Sequence, residues 1–255
     1  MSAADTLSHA LNITPCPAGQ SVRDRDRIRC LRGEDILCSI GRERHVVRHT
    51  PIFRQGEPAT HFFRVESGAI RRCRVMADGR RQVTGLYFPG DVFALGDSRV
   101  YLDDAEAISD TLLMQVSHAD LERLDISGSC LAQRLLGHTR RELSNAQELL
   151  VMVGRASVRQ RMAWFLVTMA DRLGFVGGLM PVFELPMARS DIADHLGLTV
   201  ETVSRILGEL KREEVIAVLT SQKIAICDEH ALREMTEDLS SAMPECGFQH
   251  SFVHA

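Results

Sequence analysis

The sequence predicts an α+β chain in which a β-roll, a long helix and a C-terminal helix-turn-helix follow one another, and three patterns carry that reading. Gly56, Gly68, Gly79 and Gly90 recur every 11 or 12 residues, the spacing of short strands joined by tight turns. Leu136, Leu143 and Leu150 stand seven apart within a helical pattern, as a two-stranded coiled-coil seam requires. From Arg189 to Leu210 two short helical patterns meet at a glycine. At 255 residues the chain exceeds the usual size of one domain, so two domains are expected, each able to bury a core.

Taken in order, residues 1–28 lack periodicity and are rich in Ser, Ala, Asp and Arg, so they read as an extension. The roll is expected over 29–126. Between Asp35 and Val116 short apolar runs are broken by Pro51, Gly85 and the four spaced glycines. Ala69 to Met76 and Gln82 to Phe88 alternate apolar with polar side chains, which puts one face inward and one outward. After Ser117 the period changes. Leu131, Leu135, Leu136, Leu143, Leu149, Leu150 and Val153 are expected on one stripe of a helix over 127–155, broken at Gly154. Within it Leu136, Leu143 and Leu150, with Thr139, Ala146 and Val153 offset by three, form the dimerisation candidate; the alternative is a helix packed on its own domain. A further helix, Ser157 to Leu173, is apolar through Met162, Phe165, Leu166 and Met169 and ends before the turn-rich Gly174 to Pro181. It opens a domain expected over 156–236, followed by a tail at 237–255.

Composition narrows the class. With 45% hydrophobic and 25% charged residues, and no apolar run near the roughly 18 residues of a membrane span, the chain reads as globular with no membrane partner. The first positively charged side chain is Arg23, so the start lacks the flank of a secretory signal and a cytoplasmic location is expected. Seven scattered cysteines (Cys16, Cys30, Cys38, Cys73, Cys130, Cys227 and Cys246) suit reduced thiols rather than a disulfide framework. No phosphate loop, nucleophile elbow or acid/base carboxylate pair is recognisable, so the chain is not expected to be an enzyme. His45 and His49 have helical metal-pair spacing, but the intervening Val46 and Val47 suggest a strand and the Glu of the zinc-protease pattern is missing. A metal-dependent β-roll enzyme would need converging His and carboxylate ligands, and only His61 lies in the clearest strands.

The sharpest pattern is ARSDIADHLGLTVETVSRILGEL. A helix-turn-helix needs a small residue where two helices touch, a glycine in the turn and apolar residues facing inward on both. Counting Arg189 as first, Ala193 is fifth, Gly197 ninth and Val203 fifteenth, while Ile192, Leu196, Leu198 and Ile206 supply the buried face. Thr199 is placed to cap the second helix. On its exposed face Val200, Glu201, Ser204 and Arg205 stand where a recognition helix meets base edges. Arg can grip guanine, Glu can accept from cytosine N4, and Ser or Val can approach a thymine methyl. Glu201 and Arg205 are one turn apart, so an intrahelical ion pair between them is also expected. The net charge of −4 argues against a nucleic-acid partner. Even Arg189 to Glu214 carries four bases (Arg189, Arg205, Lys211, Arg212) against six acids.

SDIADHLGLTVETVSRILGEL resembles the recognition element of Fnr and FixK regulators in the Crp/Fnr superfamily, whose Glu-x-x-Ser-Arg triplet is present as Glu201, Ser204 and Arg205. The resemblance continues upstream through IFRQGEPATHFFRVESGAI, DGRRQVTGLYFPGDVFAL and SVRQRMAWFLVTMADRLG, over about residues 45–230. It implies a cyclic-nucleotide-binding-like jelly roll, a dimerisation helix and a winged helix-turn-helix with a wing strand at Lys223 to Asp228. It also implies a homodimeric transcription regulator, an activator, on double-stranded DNA bearing an inverted TTGAT/ATCAA repeat, with RNA polymerase as partner through a loop around Ala94 to Arg99. Arg189, Ser190, Thr199, Val200, Glu201, Thr202, Ser204 and Arg205 are then the DNA-binding candidates.

The input side departs from two branches of that family. Where cyclic-nucleotide binders resemble one another in Gly-Glu-Leu and a phosphate-binding Arg, this chain reads FALGDSRVYLDDAEAISDT, with Asp103, Asp104 and Glu106 expected to repel an anion. Iron-sulfur members gather closely spaced N-terminal thiolates and one in the roll. Here Cys16, Cys30 and Cys38 are separated by 13 and 7 residues, and Met114 stands where the roll ligand is expected. The chain therefore resembles most the FixK branch, and that resemblance implies no cofactor, control by abundance and a role in microaerobic or denitrification genes, with an oxygen- or redox-sensing regulator holding an atypical cysteine-bound iron-sulfur cluster as the alternative. A thiol switch beside the DNA has no obvious counterpart, since Ala188 precedes Arg189, and Cys227 on the wing is the other thiol near it.

Overall fold

A computed structural model of the chain describes residues 36–96, 98–123, 130–176 and 181–240. The extension 1–28, the tail beyond 240 and, with them, Cys16, Cys30 and Cys246 lie outside the described residues.

Helix α1 (Ile36–Ile40) precedes eight short strands: β1 (Arg42–Val46), β2 (Pro51–Phe53), β3 (His61–Ser67), β4 (Ile70–Val75), β5 (Arg81–Tyr87), β6 (Val92–Phe93), β7 (Asp104–Ala107) and β8 (Thr111–Ser117). They pair antiparallel into two four-stranded sheets, ordered β1-β8-β3-β6 and β2-β7-β4-β5. The two segments of alternating polarity are β4 and β5, joined at Asp78-Gly79. The glycine spacing has the expected cause, since Gly56, Gly68, Gly79 and Gly90 have φ of 86, 86, 82 and 90°, a region open mainly to glycine. At Gly68 a Cβ would also sit 2.4 Å from the Asp110 carbonyl oxygen. Between the sheets Phe53, Phe63, Phe93 and Tyr101 are buried together, with the Phe53 and Tyr101 rings stacked at 3.7 Å between centroids. Each such aromatic contributes about 1.5–3 kcal/mol by leaving water.

Helix α2 (His118–Glu122) closes the roll, and α3 (Cys130–Arg155) runs 26 residues, about 39 Å at 1.5 Å per residue. Its apolar residues do not form the single stripe expected. Leu131 and Leu135 are buried against Phe62, Val92, Met114 and Val116 of the roll, whereas Leu136, Leu143 and Leu150 are 50, 59 and 73% exposed. At 100° per residue the two leucine sets lie roughly a quarter-turn apart, so one face holds the helix to its own roll and another is bare. Nor does Gly154 break the helix, which continues to Arg155.

Helix α4 (Val158–Leu173) starts at a reciprocal cap, Ser157 accepting from the Gln160 N–H while the Gln160 side chain accepts from the Ser157 N–H, which satisfies two amides left open at a helix start. It buries Met162, Phe165, Leu166 and Met169. Strand β9 (Val182–Glu184), helices α5 (Arg189–Leu196) and α6 (Val200–Arg212), strands β10 (Ile216–Val218) and β11 (Lys223–Ile226), and α7 (Glu229–Ser240) complete the fold. The three strands pair as β10-β11-β9, so the wing strand is β11.

Strand β5 is an outer strand of its sheet, and the C-terminal domain covers it. The Val83 carbonyl bonds His195 Nδ1 at 3.1 Å and the Leu86 carbonyl accepts from Arg172 Nη2 at 3.0 Å. Side chains of the roll (Val83, Leu86, Phe88) and of the C-terminal domain (Met162, Phe165, Leu196, Ile206) share one apolar core.

Candidate nucleic-acid interface

Helices α5 and α6 meet as the sequence requires. Ala193, Ile192 and Leu196 of α5 and Val203 and Ile206 of α6 are at most 2% exposed, while Leu198 is half-buried. Gly197 ends α5 with φ 64° and ψ 40°, the left-handed conformation that favours glycine at a helix end. Thr199 caps α6, its Oγ1 accepting from the Thr202 N–H at 3.1 Å and bonding Thr202 Oγ1 at 2.9 Å. This fixes the start of the helix and engages both threonine hydroxyls, leaving one of their two protons free.

The outer face of α6 presents Val200, Glu201 and Arg205 to solvent, with Thr202 and Ser204 half-buried between them. The expected Glu201–Arg205 pair does not form. Arg205 Nη1 instead donates to Glu209 Oε1 at 2.7 Å. Glu201 lies in the first turn, where the helix dipole itself favours negative charge, and has no charged partner among the described residues. Arg189, at the first position of α5, donates from Nη1 to Ser204 Oγ at 3.1 Å. Ser190 beside it is half-buried.

The acidic balance of this segment is cancelled from elsewhere in the fold. Asp191, 2% exposed, accepts from Arg71 at 2.5 Å and Arg81 at 2.9 Å. Asp194 accepts from Arg81 at 2.7 Å, and Glu213 is held by both Nη atoms of Arg159. That guanidinium hydrogen bond keeps the Glu213 carboxyl below its ordinary range. Of the acids counted against DNA binding, Asp191, Asp194 and Glu213 thus pair with arginines outside the segment and Glu209 with Arg205, while Glu201 stays unpaired among the described residues on the outer face of α6. His195 packs between Trp164 and Phe165, and burial pushes its pKa down to about 4, the Val83 carbonyl opposing.

A profile described as a Crp-like helix-turn-helix domain matches residues 160–235, and one described as a cyclic nucleotide-binding domain matches 43–125. The Nitrogen fixation regulation protein FixK of Azorhizobium caulinodans is 35% identical over 205 residues, covering 80% of this chain and 83% of the relative. The chain belongs to the Crp/Fnr family, in its FixK-like branch. The FixK of Rhizobium meliloti is 38% identical over 184 residues, covering 72% and 82%. The structure of FixK2 from Bradyrhizobium japonicum superposes with a TM-score of 0.71 at 33% identity, over 77% of this chain and 97% of that one. This FixK-like chain is accordingly a DNA-binding transcription regulator rather than an enzyme, and no helix among its described residues is long and apolar enough to cross a membrane.

The family fold implies a nucleotide, and the residues between roll and α3 do not fit one. The expectation that Asp103, Asp104 and Glu106 repel an anion is replaced by a more specific picture. Asp103, 4% exposed, accepts from Arg72 and Arg74 at 3.0 Å and from Thr84 at 2.9 Å. Asp104 accepts from the Gln55 N–H at 2.7 Å, and Glu106 from Arg71 at 2.9 Å. Arg72 is further held by Glu142 of α3 at 2.8 Å and by Tyr87, and Arg172 by Asp91 at 2.6 Å. The cleft there, about 260 Å³, is lined by Arg141 and by Arg72 and Arg172, whose hydrogen bonds carboxylates already accept, so a phosphate would have to displace those carboxylates to reach the latter two.

The thiols that fall on described residues are dispersed. Cys38 is exposed beside β3, accepting from Arg64 at 3.3 Å, while Cys73 is buried on β4 in the other sheet. Burial, with Glu66 and Glu43 nearby, pushes the Cys38 thiol up, and burial does the same for Cys73. Met114 is buried against the roll and α3. Cys227 is exposed just past β11. His45 lies on β1 and His49 in the following turn at φ 64°, not on one helix. The sequence reading missed Arg71 and Arg81 entirely. They stand 120 and 110 residues from Asp191, and only their position on an apolar, alternating strand hinted at a buried partner.

Proposed function

We propose that this FixK-like regulator binds, as a homodimer, an inverted TTGAT-N4-ATCAA-like repeat without a cyclic nucleotide and activates transcription there. The observation that carries the reading is the outer face of α6: Glu201 unpaired, Arg205 exposed, Ser204 between them, and the helix start locked by Thr199. Arg189, Ser190, Val200 and Thr202 complete the DNA-facing set. Glu accepting from cytosine N4 and Arg gripping guanine supply discrimination that the chain's net charge cannot.

The bare leucines of α3 support the dimer. Leu136, Leu143 and Leu150, with Thr139, Ala146 and Val153, form a seam on the face that the roll leaves uncovered, and two-fold symmetry then places one recognition helix per half-site, about one helical turn apart. Division of the chain at 28, 126, 155 and 236, contact with RNA polymerase through the loop at 94–99, a cytoplasmic location and a place in microaerobic or denitrification gene control follow from the same reading.

The test is fluorescence anisotropy of aerobically purified, metal-free protein on TTGAT-N4-ATCAA against a scrambled duplex, at one salt concentration because phosphate contacts make affinity salt-dependent. Tight binding to the first duplex alone is expected, and Arg205→Ala abolishes the preference. Equal affinity of wild-type protein for both duplexes, or wild-type selectivity in Arg205→Ala, refutes the assignment.

A further inference from the structure

We infer that Arg189 is a positioning residue for Ser204, setting the serine hydroxyl as a hydrogen-bond donor to one base and so fixing specificity at one base pair. The inference rests on the reading of α6 as the recognition helix.

Arg189 stands where a cation is poorly placed on local grounds. It occupies the first position of α5, and the positive end of a helix disfavours a positive side chain. The carboxylate in the same turn, Asp191, is turned inward under Arg71 and Arg81 and also accepts from the Ala188 N–H at 3.2 Å. Arg189 therefore gains nothing from it. Among the described residues its side chain has no carboxylate partner, and its hydrogen bond crosses between the two helices to Ser204.

Ser204 is equally unusual. A serine inside a helix ordinarily turns its hydroxyl back to the carbonyl four residues earlier. Here the side-chain bond found is the one received from Arg189. A serine hydroxyl has one donor and two acceptor sites. A guanidinium filling an acceptor site leaves the proton free and polarises the O–H bond towards donation. Ser204 lies on the face shared by Glu201 and Arg205, so its proton is offered to the groove. Thymine O4, guanine O6 and purine N7 accept such a proton, whereas cytosine and adenine amino groups donate and do not match. Glu201 accepts, Arg205 donates, and Arg189 makes Ser204 a second donor between them.

The experiment uses the full chain on a panel of duplexes in which each base pair of one half-site is replaced in turn. Wild type, Ser204→Ala, Arg189→Ala, Arg189→Lys and the Arg189→Ala/Ser204→Ala double variant are compared, each checked for an unchanged thermal melt. Ser204→Ala should lose roughly 3- to 10-fold of discrimination, the worth of one hydrogen bond, at a single base pair. Arg189→Ala should lose discrimination at that same pair, the double variant should lose no more than Ser204→Ala, and Arg189→Lys, which keeps a cationic donor, should restore part. If Arg189→Ala instead weakens all duplexes alike, lowers the salt slope by about one and adds to Ser204→Ala, the residue is a phosphate contact and the inference is wrong. Wild-type protein with no preference for the repeat over a scrambled duplex would overturn the recognition-helix reading itself, and this inference with it.

Discussion

Removing the Asp191 carboxylate should loosen the junction between the two domains more than any other single change on the C-terminal domain's surface. Its Oδ1 takes Arg71 at 2.5 Å and Arg81 at 2.9 Å, and its Oδ2 takes the Ala188 amide. Breaking a buried ion pair by removing one partner costs about 3–5 kcal/mol, because the remaining charge is left in a medium that solvates it poorly. Two features place Asp191→Ala at the lower end. Arg71 keeps Glu106 at 2.9 Å, and Arg81 keeps Asp194 at 2.7 Å in a position solvent partly reaches. The expected loss is therefore about 3 kcal/mol, which at a slope of roughly 2–3 kcal/mol per molar lowers a urea midpoint by about 1 M. Trp164, the chain's one tryptophan, has its ring 6.4 Å from that of His195, so its fluorescence reports this junction directly. Protein concentration is held constant, since an associating chain gains stability by mass action. Replacing the pair by Arg71→Met with Asp191→Leu should recover much of the loss, as apolar substitutes for buried pairs do. A loss below about 1 kcal/mol for Asp191→Ala would mean that the two domains do not meet through this carboxylate in solution.

The other expectations concern single side chains. His195 stays neutral in the fold with a pKa of about 4, against about 6.5 unfolded, so stability fully present above pH 6.5 is lost as pH falls towards 4, by ~3 kcal/mol. His195→Asn should show an acid-side decline shallower by about that amount, and an unchanged decline would contradict the burial. Leu143→Arg, on the bare face of α3, should weaken self-association at least about tenfold in sedimentation at constant helicity; an unaltered dimer would move the seam elsewhere. Gly68→Ala, which would force a Cβ against the Asp110 carbonyl at φ 86°, should lower stability by roughly 2 kcal/mol or more in the same urea assay.

What the sequence made legible is what neighbouring residues decide. The turns of the roll could be read because each needs its own glycine, and the helix-turn-helix because Ala193, Gly197 and Val203 fall within one short segment. Faces of α3 were harder. A periodic pattern registers that Leu131 and Leu136 are both apolar, but not that one meets the roll and the other meets water. The pairing of Arg205 was ambiguous for a related reason, since Glu201 and Glu209 are each one turn away, and in the structure Glu209 takes it. The Asp191 network was beyond reach, because nothing local ties a carboxylate in one domain to arginines more than a hundred residues earlier. The local charge balance misled for the same reason: counted over Arg189 to Glu214 alone, it includes Asp191, Asp194 and Glu213 without the arginines elsewhere in the chain that hold them.

The covered edge of β5 bears on how new specificities could arise in such a chain. A bare sheet edge is a template for pairing with another chain, and here His195 and Arg172 occupy the carbonyls that would serve as that template. The C-terminal domain thus packs its inner face on the roll, and the proposed function assigns its outer face to DNA. Under the proposed reading of α6, exchange of Val200, Glu201 and Arg205 should alter the target while leaving the inner face untouched. A graft of a whole foreign domain that copied only the outward residues would strip β5 of its cover and leave Arg71 and Arg81 facing no carboxylate from α5.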